Sequence, residues 1–142
     1  MKGKFIINGK VWDNHIMDQG IKKMMRVLAD NTETNTLLIA MSVGTSDATP
    51  DDTTLSALVA EIPAATKFTI GSHSVNSVFP FDLELNITIP ADDITGGTVL
   101  KEIGIWFGPS GTEFLFARAT DPTGITVVAA MAVPVKYDLT IV

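Results

Sequence analysis

The stretch Phe81-Asp-Leu-Glu-Leu-Asn-Ile-Thr-Ile89 alternates apolar and polar residues along its whole length. Successive side chains of a β-strand point to opposite faces, so this period of two predicts a strand with one buried and one solvated face. Strands of this kind are typical of antiparallel sheets, and Pro90 is expected to end the run. The stretch therefore indicates an antiparallel β-protein.

The segments around this strand extend the β prediction. Apolar runs of strand length occupy 36–43 and 99–107, further strands are indicated at 113–119 and 135–142, and the apolar stretch 125–133 continues the series. Together they give about six or seven strands after the helix described next. We therefore predict a mainly β fold, an antiparallel β-sandwich or barrel with an N-terminal hairpin and one flanking α-helix.

The N-terminal part of the chain carries a turn signal and one helical pattern. Asn8-Gly9 separates two short apolar runs in "KFIINGKVW", which predicts a two-residue type I′ turn and a hairpin over 1–12. A helix is predicted over 14–29, with Asp13 or Asn14 as its N-cap. The apolar residues at helical spacing are expected to face the core: Met17, Ile21, Met24, Met25 and Leu28.

Size and composition bound the possible classes of protein. The 142 residues fit a single domain over 1–142, with its β-core over 36–142, and the lack of cysteine excludes disulfides and a thiolate nucleophile. A net charge of −6 argues against a nucleic-acid partner. The sequence shows neither the apolar segment of a signal peptide nor the roughly 18 apolar residues of a membrane span.

Charged residues make up only 18% of the chain, below the usual value of about 25%. The mean hydropathy is +0.30. This composition favours a homo-oligomer, in which part of the surface is buried against other subunits. A small β-domain with a large core is the alternative explanation.

An acidic loop is the first candidate for a chemical site, and it fits structure better than metal binding. Asp47, Asp51 and Asp52 lack the spacing of a calcium loop, and Pro50 interrupts them. We expect Asp51 or Asp52 to cap a short helix over 53–60 instead. The two histidines lie in segments of different type and outside any zinc motif. We therefore predict no catalytic, metal-binding or cofactor-binding residues and no enzymatic activity, although a Ser-His-Asp triad assembled in space stays open.

Glu102 and Arg118 form the second candidate. If Pro109-Ser110-Gly111 is a three-residue loop with Gly111 in the left-handed region, counting along both strands places Glu102 opposite Arg118. The same count places Gly104 opposite Phe116, with room for its ring. We interpret the pair as a partly buried structural contact that sets the strand register, in preference to a catalytic carboxylate.

Three segments of the chain carry a resemblance to a known group of proteins: "MSVGTSDATPDDTTLSALVAEI" (41–62), "LKEIGIWFGPSGTEFLFARAT" (100–120) and the closing "VKYDLTIV" (135–142). The chain resembles small structural proteins of tailed-bacteriophage virions, in which a "VGTG…P…DT.L" segment precedes an "EIG…LFARA" hairpin. The resemblance covers about Ile16 to Val142. Ser46 stands where a second glycine is common, and Trp106 where phenylalanine is usual.

This resemblance implies a non-enzymatic virion protein, made in the host cytoplasm, whose partners are other phage structural proteins. The leading expectation is a tail-associated module used as an adaptor, at the baseplate or for fibre attachment. A head-decoration (cement) protein that stabilises the capsid is the second, and the resemblance implies a homo-oligomer that is a trimer or higher. A receptor- or carbohydrate-binding module is the third, although the two tryptophans lie in apolar runs. We expect contacts with partners to come from the hairpin and from the loops 44–52 and 91–98.

Overall fold

The computed structural model of the protein describes residues 2–29, 40–62, 67–69, 72–76, 81–108 and 113–141. Within these ranges the chain forms ten β-strands and one α-helix. Their bounds, in chain order, are β1 Lys2–Ile7, β2 Lys10–Ile16, α1 Asp18–Ala29, β3 Ala40–Gly44, β4 Glu61–Ile62, β5 Phe68–Thr69, β6 Ser72–Asn76, β7 Phe81–Ile89, β8 Val99–Phe107, β9 Phe114–Thr126 and β10 Val133–Ile141.

The strands form one curled antiparallel sheet, a half-barrel, in the order β4-β3-β8-β9-β2-β1-β10-β7-β6, with β5 beside β3. Strand β2 joins the two halves of this sheet. Its residues 10–13 pair with β1, whereas residues 14–16 pair with β9. A strand that changes partners along its length turns the sheet through a corner. The predicted mainly β, antiparallel class with an N-terminal hairpin and one helix is confirmed.

The inner face of the curled sheet encloses the main core. Strand β7 behaves as the alternation of its residues predicts: Leu85, Ile87 and Ile89 are buried, and Thr88 is exposed. Phe5 and Tyr137 meet from neighbouring strands with ring centroids 4.6 Å apart. Further buried members come from both halves of the sheet: Ile7, Trp12, Met41, Val43, Leu100, Ile103, Ile105, Ala117, Ala119, Val133 and Val135.

The predicted N-terminal hairpin is present. Asn8 and Gly9 have φ angles of 48° and 82°, which are the two positive values that a type I′ turn requires. Ile7 pairs with Lys10 directly across the turn. The second strand is longer than the prediction, because β2 continues to Ile16 and exchanges its partner.

The helix starts later than predicted, at Asp18 instead of residue 14. Asp13 and Asn14, the predicted caps, lie within β2, because residues 14–16 pair with β9. The predicted apolar face is only partly correct. Met17 is buried and Met24 packs against the core, but Ile21 and Met25 are 44% and 64% exposed. The side chain of Leu28 lies outside the described part of the chain.

A second, smaller core lies on the outer face of the sheet, where residues 45–60 and the first turn of α1 cover strands β3, β8 and β9. Its members are Met17, Ala40, Leu58, Trp106 and Leu115, with Leu55 at the edge. The indole N–H of Trp106 donates a hydrogen bond to Ser42 Oγ over 2.7 Å. In the described ranges, α1 is too short and too polar to cross a membrane.

Candidate functional site

The Glu102–Arg118 pair is the best-defined charged site in the described part of the molecule. Arg118 Nε and Nη2 donate to Glu102 Oε2 over 3.1 and 3.0 Å. The side chains are 0% and 2% exposed, so the pair is fully buried and not partly buried as predicted. The predicted contact between these two residues is therefore confirmed.

The predicted register of the two strands is wrong. Arg118 pairs with Gly104, and Glu102 pairs with Thr120, so the charged residues are diagonal neighbours. The register shifts at two irregularities, between Leu100 and Glu102 and between Ile105 and Trp106. A count from the turn assumes a regular ladder and cannot anticipate a bulge. The two long side chains still meet, because diagonal cross-strand neighbours are within their reach.

The loop of residues 45–60, which we call the cover loop, bonds to both members of this pair. The N–H groups of Val59 and Ala60 donate to the Glu102 carboxylate over 3.0 and 2.6 Å. Arg118 in turn donates to the carbonyl oxygens of Thr49 and Ala48, each over 2.9 Å. Each charge is thus neutralised by its partner and hydrogen-bonded to backbone, as buried charges require.

Additional bonds close the cover loop and attach it to the helix start. Thr45 N–H donates to Ala60 O over 3.0 Å, which brings the two ends of the loop together as in an Ω-loop. Asp18 N–H donates to Thr53 O over 3.0 Å. Met17 N–H donates to the carbonyl of Phe116, over 2.8 Å, at the irregular point of β9. The same bulge that shifts the register therefore also anchors the start of α1.

Two glycines make room for this arrangement. A Cβ on Gly44 would collide with the Glu102 carboxylate and with the carbonyl of Ala60. A Cβ on Gly104 would lie 2.6 Å from a methyl of Leu115 and 2.9 Å from one of Leu58. The prediction that Gly104 accommodates the ring of Phe116 is therefore wrong. Phe116 belongs to the main core on the other face of the sheet.

The acidic residues of the cover loop each have a different partner. The predicted short helix over 53–60 is absent: the N–H groups of Val59 and Ala60 bond to Glu102 instead of to a preceding turn. Asp52 Oδ1 accepts bonds from the hydroxyl and the N–H of Thr54, over 2.6 and 2.9 Å, and these bonds hold the pKa of Asp52 below its ordinary value. Asp47 lies 3.5 Å from Lys101, and Asp51 lies 3.2 Å from His15.

The remaining predicted residues do not join a common site. Across residues 2–29, 40–62, 67–69, 72–76, 81–108 and 113–141, no three His, Asp or Glu side chains are grouped closely enough to hold a metal ion. His15 is on β2, whereas the side chain of His73 lies outside the description. Gly111, to which the sequence assigned a left-handed conformation, also lies outside the described residues. Asn8 and Gly9 act in the turn, far from the ion pair along the sheet.

A polar groove of about 540 Å³ opens where β2 separates from β1. Asn14 donates from Nδ2 to the Tyr137 hydroxyl over 3.2 Å, while its Oδ1 is buried with no bonding partner among the described residues. Burial raises the pKa of the Tyr137 phenol far above its ordinary value. The walls carry charges of both signs: Lys2, Lys4, Asp13 and Asp138. Mixed charges at a strand junction do not define one class of ligand.

Sequence reasoning found Glu102 and Arg118 but missed the cover loop as their partner. The loop bonds to them through backbone amides and carbonyls, which carry no side-chain signal. Gly44 was also missed, although a glycine directly before an acidic loop could have drawn attention to it. Comparison of the chain with protein-family models, with curated proteins and with solved structures found no match.

Proposed function

We propose that this chain is a non-enzymatic structural protein of a tailed-bacteriophage virion, acting as a tail-associated adaptor, baseplate or fibre-attachment module. It would act by burying surface between subunits, not by chemistry on a substrate. The proposal starts from the resemblance carried by residues 41–62, 100–120 and 135–142. The observation that supports it is the way in which two of these segments meet.

The first two segments form a single packed unit. Val43 and Gly44 pair with Ile103 and Glu102, which brings the "VGT" segment beside the "EIGIW" strand. Glu102 then bonds to Arg118 of the "LFARA" strand and to the amides at the end of the cover loop. The residues that carry the resemblance are therefore those that fix a long loop onto the sheet. Such an arrangement presents a rigid loop surface to a neighbouring protein.

The burial of the pair favours a structural role over the catalytic alternative. A general acid or a nucleophile must reach its substrate within hydrogen-bond distance. Glu102 is covered by the cover loop, and both of its carboxylate oxygens accept bonds from protein groups. Arg118 is covered in the same way. The pair thus favours a protein whose action depends on the shape of its surface.

The test is to locate the protein in purified phage particles. Particles produced with a tagged chain are separated into heads and tails, and both fractions are analysed by quantitative mass spectrometry and immunogold labelling. We expect the protein in the tail fraction, at a small copy number per particle. Comparison of the unaltered chain with an Arg118→Met variant tests whether incorporation into particles requires a fixed cover loop.

Other outcomes would contradict this proposal, and most of them would favour one of the alternatives. Recovery on heads in hundreds of copies would identify a decoration protein. Absence from particles would contradict any virion role. A reproducible hit in a glycan-binding screen would favour the receptor-binding alternative, and turnover of generic ester, glycoside or phosphate substrates that is lost on substitution of His15 or His73 would favour an enzyme.

A further inference from the structure

The loop between β9 and β10 exposes an uninterrupted apolar run. Residues 128–132 read "VAAMA", and all five are exposed, with Val128 at 57% and Met131 at 60%. Scattered apolar side chains are common on protein surfaces, but consecutive ones are rare unless they bind something. We call residues 128–132 the apolar tip.

The apolar tip is held in one conformation. Ala130 has a φ of 58°, a left-handed value that is unusual for a residue with a side chain, and its N–H donates to Asp92 Oδ1 over 2.9 Å. Val127 exchanges two backbone bonds of 2.8 Å with Gly97 and Thr98. Strained backbone persists where surrounding bonds impose it, and it occurs preferentially at binding sites. The tip is therefore organised before any partner arrives.

A second apolar surface lies on α1. A groove of about 230 Å³ with an almost wholly apolar lining runs between the helix and Phe114, and Ile21 and Met25 are exposed on the same helix outside that lining. Its other lining residues are Gln19, Lys22 and Lys23, whose methylene groups can form apolar walls below charged ends. We call this surface the helix groove.

The two surfaces are complementary in charge. Asp92 and Asp93 lie beside the apolar tip on the loop that follows β7, and both are exposed. Lys22, which is exposed, borders the helix groove. An apolar projection with acidic neighbours thus matches an apolar groove with a basic neighbour. Complementary charges of this kind orient two surfaces during association.

The two surfaces lie at opposite ends of one strand. Phe114 begins β9, and the apolar tip follows its last residue, Thr126. Strand β8 pairs with β9 from Phe114 to Thr126, and its eight steps from Phe107 to Val99, at about 3.3 Å each, separate the two ends by roughly 26 Å. The tip of one molecule therefore cannot fill the groove of the same molecule, and a second copy is the occupant that fits both surfaces.

We propose that copies of this chain associate head to tail, with the apolar tip of one copy in the helix groove of the next. The contact is heterologous, because it joins two different surfaces, and its repetition generates a ring or a filament. This inference rests on the proposed assembly function for its biological meaning. The measurement below uses purified protein, so its failure is distinguishable from a failure to find the chain in virions.

The experiment uses one variant for each surface. Met131→Asp places a charge on the tip, and Met25→Asp places one next to Lys22 of the groove, three residues away on the helix surface. Sedimentation velocity and light scattering across a concentration series should show self-association of the unaltered protein and at least about tenfold weaker association of either variant. Val11→Asp, on an exposed apolar residue of β2 outside both surfaces, should associate as the unaltered protein does.

Mixing the two variants is the decisive measurement. The Met131→Asp chain keeps an intact groove and the Met25→Asp chain keeps an intact tip, so an equimolar mixture should form heterodimers and nothing larger. A mixture that stays monomeric would overturn the head-to-tail contact. So would an unaltered protein that is monomeric up to millimolar concentration, or variants that associate as strongly as the unaltered chain.

Exchange of the charges on the two surfaces provides a second test of the contact if an aspartate variant does not fold. Asp93→Lys and Lys22→Glu should each weaken association, because each places like charges across the contact. The chain with both substitutions should recover it, because the opposite signs are restored. Lack of recovery in a folded double variant would contradict the proposed pairing of the two surfaces.

Discussion

Replacement of Arg118 by methionine tests whether the buried ion pair fixes the cover loop. Methionine retains the apolar volume of the side chain but removes its charge and its donors. The carboxylate of Glu102 would then stay buried without its counter-charge, and the carbonyls of Ala48 and Thr49 would lose their donors. We expect a large loss of stability and local release of the loop.

The size of the loss follows from the burial of both partners. Removal of one member of a fully buried pair costs about 3–5 kcal/mol in the free energy of unfolding. With a urea m-value of about 2 kcal/mol/M, the unfolding midpoint would fall by roughly 2 M. Arg118→Lys retains the charge but not the fork of donors, so its loss should be smaller.

The double variant Glu102→Met with Arg118→Met separates this site from an ordinary buried pair. Replacement of both partners by apolar residues is often neutral or stabilising. Here the pair also supplies four bonds to backbone groups of the cover loop, at Ala48, Thr49, Val59 and Ala60. We therefore expect the double variant to remain about 2–4 kcal/mol less stable than the unaltered chain, because those groups lose their partners.

Urea unfolding followed by tryptophan fluorescence measures the stability, and hydrogen exchange of the Val59 and Ala60 amides measures the release of the loop. Both amides should exchange faster in each variant than in the unaltered protein. A double variant with the stability of the unaltered protein and with protected Val59 and Ala60 amides would refute the reasoning.

Three further predictions concern backbone space and charge. Gly44→Ala should destabilise the protein more than Gly104→Ala in thermal melts. The new Cβ at position 44 meets a backbone carbonyl and a carboxylate, whereas the new Cβ at position 104 meets leucine methyls that can move away. Equal losses of stability would contradict this. Gly9→Ala should cost about 1 kcal/mol, because its φ is 82° although space is open, and an unchanged urea midpoint would contradict the turn assignment. The hydrogen bond from Lys10, at 2.8 Å, chiefly holds the pKa of Asp121 below its ordinary value, so its stabilisation is present above about pH 4 and is lost as the pH falls through the folded pKa. Asp121→Asn should flatten that part of a profile of urea midpoint against pH, and an unaltered profile would count against the pair.

Local patterns were sufficient wherever a feature depends on neighbouring residues alone. The alternation of 81–89 and the Asn8-Gly9 turn were both predicted correctly, because the strand period and the positive φ angles are properties of short segments. The Glu102–Arg118 contact was also predicted. This prediction was correct although the predicted register was wrong, because the two side chains are long enough to reach a diagonal neighbour.

Features that depend on distant partners were predicted wrongly. The sequence of 53–60 suggests a helix, but Val59 and Ala60 donate to Glu102, more than forty positions along the chain. The helix pattern placed Ile21 in the core because spacing alone cannot show which part of an apolar stripe another element covers. In the fold, β9 and the cover loop bond to Met17, Asp18 and Gln19 at the start of α1. Met24 packs against the core, whereas Ile21 and Met25 stay exposed.

The amino-acid sequence by itself determined that this protein is antiparallel and mainly β, with a tight first hairpin and a Glu–Arg contact between two neighbouring strands. Only the tertiary structure decided the strand register, the path of the cover loop and the exposure of the apolar tip. The physical reason is the range of the interactions. Side-chain alternation and turn angles are set within a few residues. A bulge, a buried charge and a covered surface are stabilised by groups that meet only when the chain has folded.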